Sequence, residues 1–154
     1  MTQSRKTVLL VEDAPAVRSA LRRCLEALGH EVREAADGRA ALEELTRRAP
    51  DLVVLDLVLP QVSGYEVCEA LRASSAEAHR NVPVLVISGR VLPEDRAEAL
   101  EAGADAFLSK PFGLTEFRAR VETLLRGAAV RSARPVPALG ASSTSSAPRL
   151  ALVR

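Results

Sequence analysis

The chain has 154 residues and a formal net charge of +1, with 47% hydrophobic and 27% charged residues. This composition is typical of one soluble globular domain, and no apolar stretch approaches the roughly 20 residues of a membrane-spanning helix. Residues 1–126 hold 17 basic and 20 acidic residues. A folded part with this acidic balance is not expected to bind nucleic acid directly.

Five apolar runs alternate with helical patterns along the chain, which favours β-α units around a parallel sheet. The runs predict strands at Thr7–Val11, Glu31–Ala35, Leu52–Asp56, Val84–Ile87 and Ala106–Ser109. A helical pattern follows each strand, so five helices are expected. The second strand has little apolar content and is predicted at an edge of the sheet. Residues 74–81 are polar and are predicted as a connection without regular structure.

The composition changes at Gly127 to alanine, serine, proline and arginine, with four arginines and no acidic residue up to the end. Such a segment buries too little apolar area to offset the entropy of ordering. The sequence therefore predicts a folded domain over residues 6–126 and a flexible tail or linker over residues 127–154.

The cysteines and histidines suggest no metal or disulfide site. Cys24 and Cys68 fall on the apolar stripes of predicted helices, which favours two reduced, buried thiols. His30 follows a helix stop and His79 lies in the polar connection, so both are predicted as ordinary surface histidines.

No signal peptide is visible at the amino terminus, and a cytoplasmic location is expected.

Polar side chains stand at the carboxyl ends of four predicted strands. Glu12 and Asp13 follow the first strand, Asp56 ends the third, Ser88 follows the fourth and Lys110 follows the fifth. Open α/β sheets bind their ligands at this edge. The five side chains are therefore expected to form one polar cluster.

Three carboxylates in one cleft repel one another, and a hard cation such as Mg²⁺ relieves that repulsion. Carboxylates can attack phosphorus, so Asp56 is a candidate nucleophile in phosphoryl transfer. Lys110 and Ser88 would then supply a countercharge and a hydroxyl donor. Only Lys6 and Lys110 are lysines among 21 basic residues, which favours a chemical role for the compact ammonium of Lys110.

Four segments occur in an order that is typical of one family: 8–13, 55–64, 86–89 and 103–112. Over roughly residues 6–126 the chain resembles the receiver domain of bacterial two-component response regulators, the family of the chemotaxis protein CheY. The resemblance implies a flavodoxin-like, doubly wound, five-stranded parallel sheet in the order 2-1-3-4-5.

The resemblance also implies roles for individual residues. Asp56 would be the phosphate acceptor. Asp13 would bind Mg²⁺ directly, Glu12 would bind it through water, and the Val58 carbonyl would be a further ligand, with Asp56 completing the set.

Ser88 and Lys110 would contact the phosphoryl group, and Phe107 would act with Ser88 as a switch. The Lys110–Pro111 peptide bond would be cis, as is common in the family. Glu12 and Phe107 stand where aspartate and tyrosine are more frequent. Val58 and Arg90 occupy positions that bear on the lifetime of the phosphate.

The function implied is that of a stand-alone receiver, phosphorylated by a sensor histidine kinase. It would bind an unidentified output protein through the face of the fourth helix, fifth strand and fifth helix. The module would catalyse its own phosphorylation and dephosphorylation without being an enzyme in the usual sense.

Two alternatives stay within this chemistry. The chain could be a phosphorelay intermediate that exchanges phosphate with a histidine phosphotransfer protein, or the receiver fragment of a larger regulator with a missing output domain. A phosphatase of the haloacid dehalogenase type is disfavoured, because Glu12-Asp13-Ala14 does not match its Asp-x-Asp motif.

Overall fold

The computed structural model of the chain describes residues 4–90 and 92–133. Its strands are β1 (Thr7–Val11), β2 (Glu31–Ala35), β3 (Leu52–Asp56), β4 (Val84–Ser88) and β5 (Ala106–Ser109). They form one parallel sheet in the order β2-β1-β3-β4-β5. The predicted topology is confirmed, including the edge position of β2.

Six helices pack around the sheet in the described residues, one more than the sequence predicted. They are α1 (Pro15–Ala27), α2 (Gly38–Arg47), α3 (Gly64–Arg72), α4 (Glu77–Arg80), α5 (Pro93–Ala102) and α6 (Leu114–Ala133). The additional element is α4, a single turn inside the segment that was predicted as a connection. The Arg72 side chain donates to the carbonyl of Arg80 at 3.0 Å and to that of Val82 at 2.6 Å. These hydrogen bonds, from a side chain eight and ten residues earlier, favour the turn. The sequence of residues 74–81 itself contains no helical pattern that would predict it.

Alternate residues of the central strands face opposite sides of the sheet. Leu52 and Val54 of β3 pack with the buried residues of α1 and α6, whereas Val53 and Leu55 pack with those of α2, α3 and α5. β1, β3 and β4 are covered on both faces, which explains their continuous apolar runs. Cys24 and Cys68 are buried and neither forms a disulfide, as predicted.

The last helix extends beyond the predicted domain boundary. α6 runs to Ala133, so residues 127–133 are helical rather than part of a flexible tail. Alanine, the strongest helix former, supplies three of these seven residues and offsets the weak propensity of Gly127. The remainder of the predicted tail, residues 134–154, lies outside the described residues. Among those that are described, we find no helix with the length and apolarity needed to cross a membrane.

Both histidines are more buried than the sequence predicted. His30 is 4% exposed, and its Nδ1 accepts a hydrogen bond from the backbone N–H of Lys6 at 3.2 Å. His79 is half-buried, and its Nε2 lies 2.6 Å from the carbonyl oxygen of Leu45. The surface assignment was wrong because both partners are distant in sequence.

We expect His30 to make the stability of the chain depend on pH. Burial lowers its pKa below the ordinary value of 6.5, and the Lys6 charge acts in the same direction, against Asp51 and Glu122. The unfolded chain therefore takes up this proton first as the pH falls. The free energy of unfolding should fall as the pH is lowered through about 6.5 towards the lowered pKa of the folded state.

Urea unfolding of the parent chain and of His30→Asn at pH 7.5 and 5.5 would measure this contribution. The Asn side-chain oxygen can replace Nδ1 as the acceptor for Lys6, but it does not titrate. The parent should lose more stability than the variant over this interval. An equal loss in the two proteins would show that His30 does not carry the effect.

Candidate functional site

The carboxylates that follow β1 and β3 meet at one edge of the sheet. Val11 pairs with Leu55, so the residues after these two positions lie side by side. Oxygen atoms of Glu12, Asp13 and Asp56 lie within 4.8 Å of one another. Glu12 and Asp56 are buried, whereas Asp13 is exposed at the mouth of the cluster. The strand ends therefore bring together the acids that the sequence placed in one cleft.

Lys110 enters the same cluster from the end of β5. Its backbone N–H donates to the Ser88 carbonyl at 2.8 Å, which extends the β4–β5 pairing by one residue. Its Nζ lies 2.9 Å from Asp56 Oδ2 and 3.0 Å from Glu12 Oε1. The Lys110–Pro111 peptide bond is cis, as the resemblance implied. One ammonium thus joins the ends of three strands.

The pKa values of Lys110 and Glu12 are both raised above their ordinary values. Burial alone would lower the pKa of Lys110, but the hydrogen bonds and charges of Asp56 and Glu12 raise it above its ordinary value. Burial raises the pKa of Glu12, and the Asp56 charge adds to this, against Lys110 and the Ala14 N–H. The ammonium therefore remains charged at neutral pH and offsets the repulsion between the acids.

Asp56 and Ser88 are also held by backbone amides. Asp56 Oδ1 accepts from the Val58 N–H at 3.1 Å, and Ser88 Oγ accepts from the Arg90 N–H at 3.0 Å. Ser88 is fully buried, and Ile87 beside it pairs with Asp56 across the two strands. The Ser88 hydroxyl thus lies on the strand next to the carboxylate, and its own proton remains available for a further acceptor.

Val58 and Arg90, the two positions expected to bear on phosphate lifetime, are both exposed. Val58 is 57% exposed. The Arg90 side chain is 55% exposed, and its Nη1 lies 3.8 Å from Asp95 Oδ1 in the first turn of α5. The structure therefore places the Arg90 guanidinium towards α5 and not across the acids.

Gly64 is the residue that lets the loop after β3 fold back against Asp56. A Cβ atom at this position would clash with the Asp56 carbonyl and with the Leu57 backbone. The Gly64 N–H donates to the Leu57 carbonyl at 3.0 Å. The glycine in the segment 55–64 is thus required by a close backbone approach beside the candidate nucleophile.

Phe107 lies inside the core beneath α5. The residue is 4% exposed, and the guanidinium carbon of Arg96 stands 4.9 Å from its ring centroid. Arg120 of α6 donates to the Phe107 carbonyl at 3.3 Å. The predicted switch residue therefore links β5 to the two helices of the predicted output face, now α5 and α6.

Two arginines that join separate elements of the fold were not singled out from the sequence. Arg18 of α1 donates to the Glu12 carbonyl, and Arg72 of α3 pairs with Asp105 just before β5. Their partners lie six and 33 residues away along the chain. Arginine is the commonest charged residue here, so neither position had a sequence signal that marked it.

The donor set fits a hard divalent cation. It consists only of carboxylate oxygens, which Mg²⁺ prefers, and it opens to solvent at Asp13. None of the three acids is accompanied by a thiolate or imidazole in this cluster, which would favour a softer metal. Glu12, Asp13 and Asp56 could therefore hold Mg²⁺ with several waters in place.

Comparisons with known proteins agree with this geometry. The sequence model of the response regulator receiver domain matches residues 8–122. The response regulator MprA of Mycolicibacterium vanbaalenii is 44% identical over 119 residues, which cover 77% of this chain and 50% of that protein. MprA of Mycobacterium leprae gives the same identity and coverage. The chain thus spans about half the length of these curated relatives.

Solved structures show the same fold. A putative response regulator from Chloroflexus aurantiacus superposes with a TM-score of 0.74 at 32% identity, covering 80% of this chain and 99% of that one. The receiver domain of a sensor histidine kinase from Pseudomonas aeruginosa, solved with a magnesium ion in its active-site cleft, gives 0.72 at 31% identity, covering 79% and 98%. From the family match, these relatives and the acid–lysine cluster, we conclude that this chain belongs to the family of response regulator receiver domains.

Proposed function

We propose that the domain accepts a phosphoryl group on Asp56 from the phosphohistidine of a sensor kinase, in a reaction that requires Mg²⁺. The observation that carries this proposal is the position of Lys110 Nζ between Asp56 and Glu12, in a cleft where three acids approach within 4.8 Å. The magnesium ion in the related kinase receiver supports the choice of metal.

Each side chain of the cluster has its own role in an in-line phosphoryl transfer. A carboxylate oxygen of Asp56 forms the bond to phosphorus while the phosphorus–nitrogen bond of the donor breaks, and the electron pair leaves with the donor imidazole. Bound Mg²⁺ would offset the charge of the phosphoryl oxygens. Lys110 supplies a second positive charge, and the Ser88 hydroxyl can donate to one oxygen. The Val58 carbonyl would complete the metal ligands.

The signal would pass from the phosphoryl group to the face of α5, β5 and α6. Ser88 and Phe107 would act as the switch, because the serine precedes the loop to α5 and the phenylalanine packs under that helix. Leu100 and Leu114 are 48% and 49% exposed on α5 and at the start of α6. These apolar side chains suit a protein partner. The site of action that fits this pathway is the cytoplasm.

A phosphodonor assay tests the proposed function. The full chain would be incubated with acetyl phosphate, in Mg²⁺ or in excess chelator, and intact-mass spectrometry would count the phosphoryl groups. We expect one acid-stable, alkali-labile group that forms only with Mg²⁺. Failure to gain it from both acetyl phosphate and a panel of histidine kinases would refute the proposal.

One alternative has support from the comparisons. The chain spans half the length of the MprA relatives, which favours a receiver that works as part of a longer regulator. The gene sequence beyond codon 154 would decide between this alternative and a stand-alone receiver. Onward transfer of phosphate to a histidine phosphotransfer protein would identify a phosphorelay intermediate.

We expect the aspartyl phosphate to be long-lived because no polar side chain follows the acceptor at the second position. Hydrolysis needs a water held in line with the bond to phosphorus, and Val58 offers it neither a donor nor an acceptor. Val58→Asn should therefore shorten the lifetime several-fold after the donor is removed. Phosphate release over time would measure it.

Arg90 is expected to add to this protection if its guanidinium turns from Asp95 to the phosphoryl group. Arg90→Glu removes that pairing and should also hasten release. Decay no faster than that of the parent chain in both variants would show that these side chains do not set the lifetime.

A further inference from the structure

One guanidinium connects the acidic loop after β1 to the edge strand β2. Arg18 donates from Nη1 to the Glu12 carbonyl at 2.8 Å and from Nε to Glu34 Oε1 at 2.9 Å. The other oxygen of Glu34 accepts from Arg22 at 2.6 Å. The Arg18 and Glu34 side chains are only 21% and 28% exposed. Solvent therefore screens this contact less than it screens an ordinary surface pair.

This contact fixes the peptide plane between Glu12 and Asp13. A peptide unit is planar, so the direction of the Glu12 carbonyl sets the direction of the Asp13 N–H and the position of the Asp13 Cα, from which the side chain starts. The preceding plane is held by β2, since the Glu12 N–H donates to the Ala35 carbonyl at 3.1 Å. Arg18 is the side chain that holds the following plane. Asp13 itself is exposed, so little packing would restore its direction.

We propose that Arg18, anchored by Glu34, is a positioning residue that orients the Asp13 carboxylate for Mg²⁺. The inference rests on the proposed function, because it takes the acid cluster to be a magnesium site. The effect of the Arg18 guanidinium on Mg²⁺ affinity has opposite signs if it acts as an anchor and if it acts only through its charge. A positive charge beside the acids would weaken cation binding, whereas an anchor strengthens it by keeping the ligand in place.

The test is a calorimetric Mg²⁺ titration of the full chain without phosphodonor. Arg18→Lys keeps the charge, but a compact ammonium cannot replace the planar fork that spans the carbonyl and Glu34. We expect its Kd for Mg²⁺ to rise about tenfold, the lower end of the effect of groups that orient metal ligands. Arg22→Lys is the matched control. It makes the same chemical change beside the same Glu34 carboxylate, but Arg22 does not donate to the acidic loop, so its Kd should equal that of the parent.

A second variant separates anchoring from charge. Arg18→Met removes the hydrogen bonds and the charge together. If Arg18 acts as an anchor, this variant should bind Mg²⁺ more weakly, whereas if it acts only by charge repulsion, the variant should bind Mg²⁺ more tightly. Three results would each overturn this inference and leave the proposed function standing. They are a Kd for Arg18→Lys within twofold of the parent value, an equal rise of the Kd in Arg22→Lys, and tighter Mg²⁺ binding by Arg18→Met. A parent chain that binds no Mg²⁺ would overturn the proposed function and this inference with it.

Discussion

Asp56→Asn is expected to abolish phosphorylation of the chain. The amide keeps the shape of the side chain and can still accept from the Val58 N–H, which donates to Asp56 Oδ1 at 3.1 Å. It lacks the anionic oxygen that attacks phosphorus. It also removes the negative partner that lies 2.9 Å from Lys110 Nζ. Intact-mass spectrometry after incubation with Mg²⁺ and acetyl phosphate should find no phosphoryl group on the variant.

Asp51→Asn supplies the matched control. Asp51 lies just before β3, at the opposite edge of the sheet, where its Oδ2 accepts from the Thr7 N–H at 2.8 Å. The same chemical change at this position should leave phosphorylation at the rate of the parent chain. Incorporation into Asp56→Asn at that same rate would show that another residue is the acceptor.

The sheet and the acid cluster were predictable because their causes are local. Runs such as Leu52–Asp56 are covered on both faces, so burial leaves a continuous apolar signature. The position of Asp56 follows directly, since it is the residue at which the apolar run stops. Parallel strands align their carboxyl ends, so Lys110 could be placed beside Asp56 although 54 residues separate them.

Features that depend on one long side chain were not predictable. The turn of α4 carries no apolar periodicity, and its last carbonyl is held by Arg72, eight residues earlier. His30 was predicted at the surface because it follows a helix stop and has no partner nearby in sequence, yet Lys6 just before β1 and Glu122 of α6 approach it from distant parts of the chain. Arg18 is one of 19 arginines, and only the packing of α1 beside β2 brings Glu34 to it.

The division between domain and tail was predicted from composition, which does not fix where a helix ends. The sequence change at Gly127 marks the loss of acidic residues and a shift to alanine, serine, proline and arginine. Helical hydrogen bonds can continue through alanine without any apolar stripe, and α6 does so as far as Ala133. The domain end predicted from composition, residue 126, and the end of the last helix, Ala133, therefore differ by seven residues.

Arg72→Met is expected to lower the free energy of unfolding by about 3 kcal/mol, since it removes one partner of a largely buried ion pair and leaves carbonyl groups unpaired. The Arg72 side chain is 15% exposed and donates to Asp105 Oδ2 at 2.8 Å and to the Gly103 carbonyl at 3.0 Å. It also donates to two carbonyls of the segment that leads from α4 into β4. Methionine retains the apolar stem but none of these bonds. Urea unfolding at pH 7.5 would measure the loss.

Arg80→Met is the matched control, because Arg80 Nη1 also donates to two backbone carbonyls, those of Ser74 and Ser75. These bonds lie within one loop, so their loss should lower the free energy of unfolding by less than about 1 kcal/mol. Arg72 instead joins α3, the end of α5 and the residue just before β5, the strand that positions Phe107 and leads into Lys110. Equal losses in the two variants would mean that Arg72 does not hold these elements together. A larger loss in Arg72→Met would show that Arg72 stabilises the attachment of β5, the strand that leads into Lys110. Arg72 would do so from the face of the sheet opposite α1 and α6.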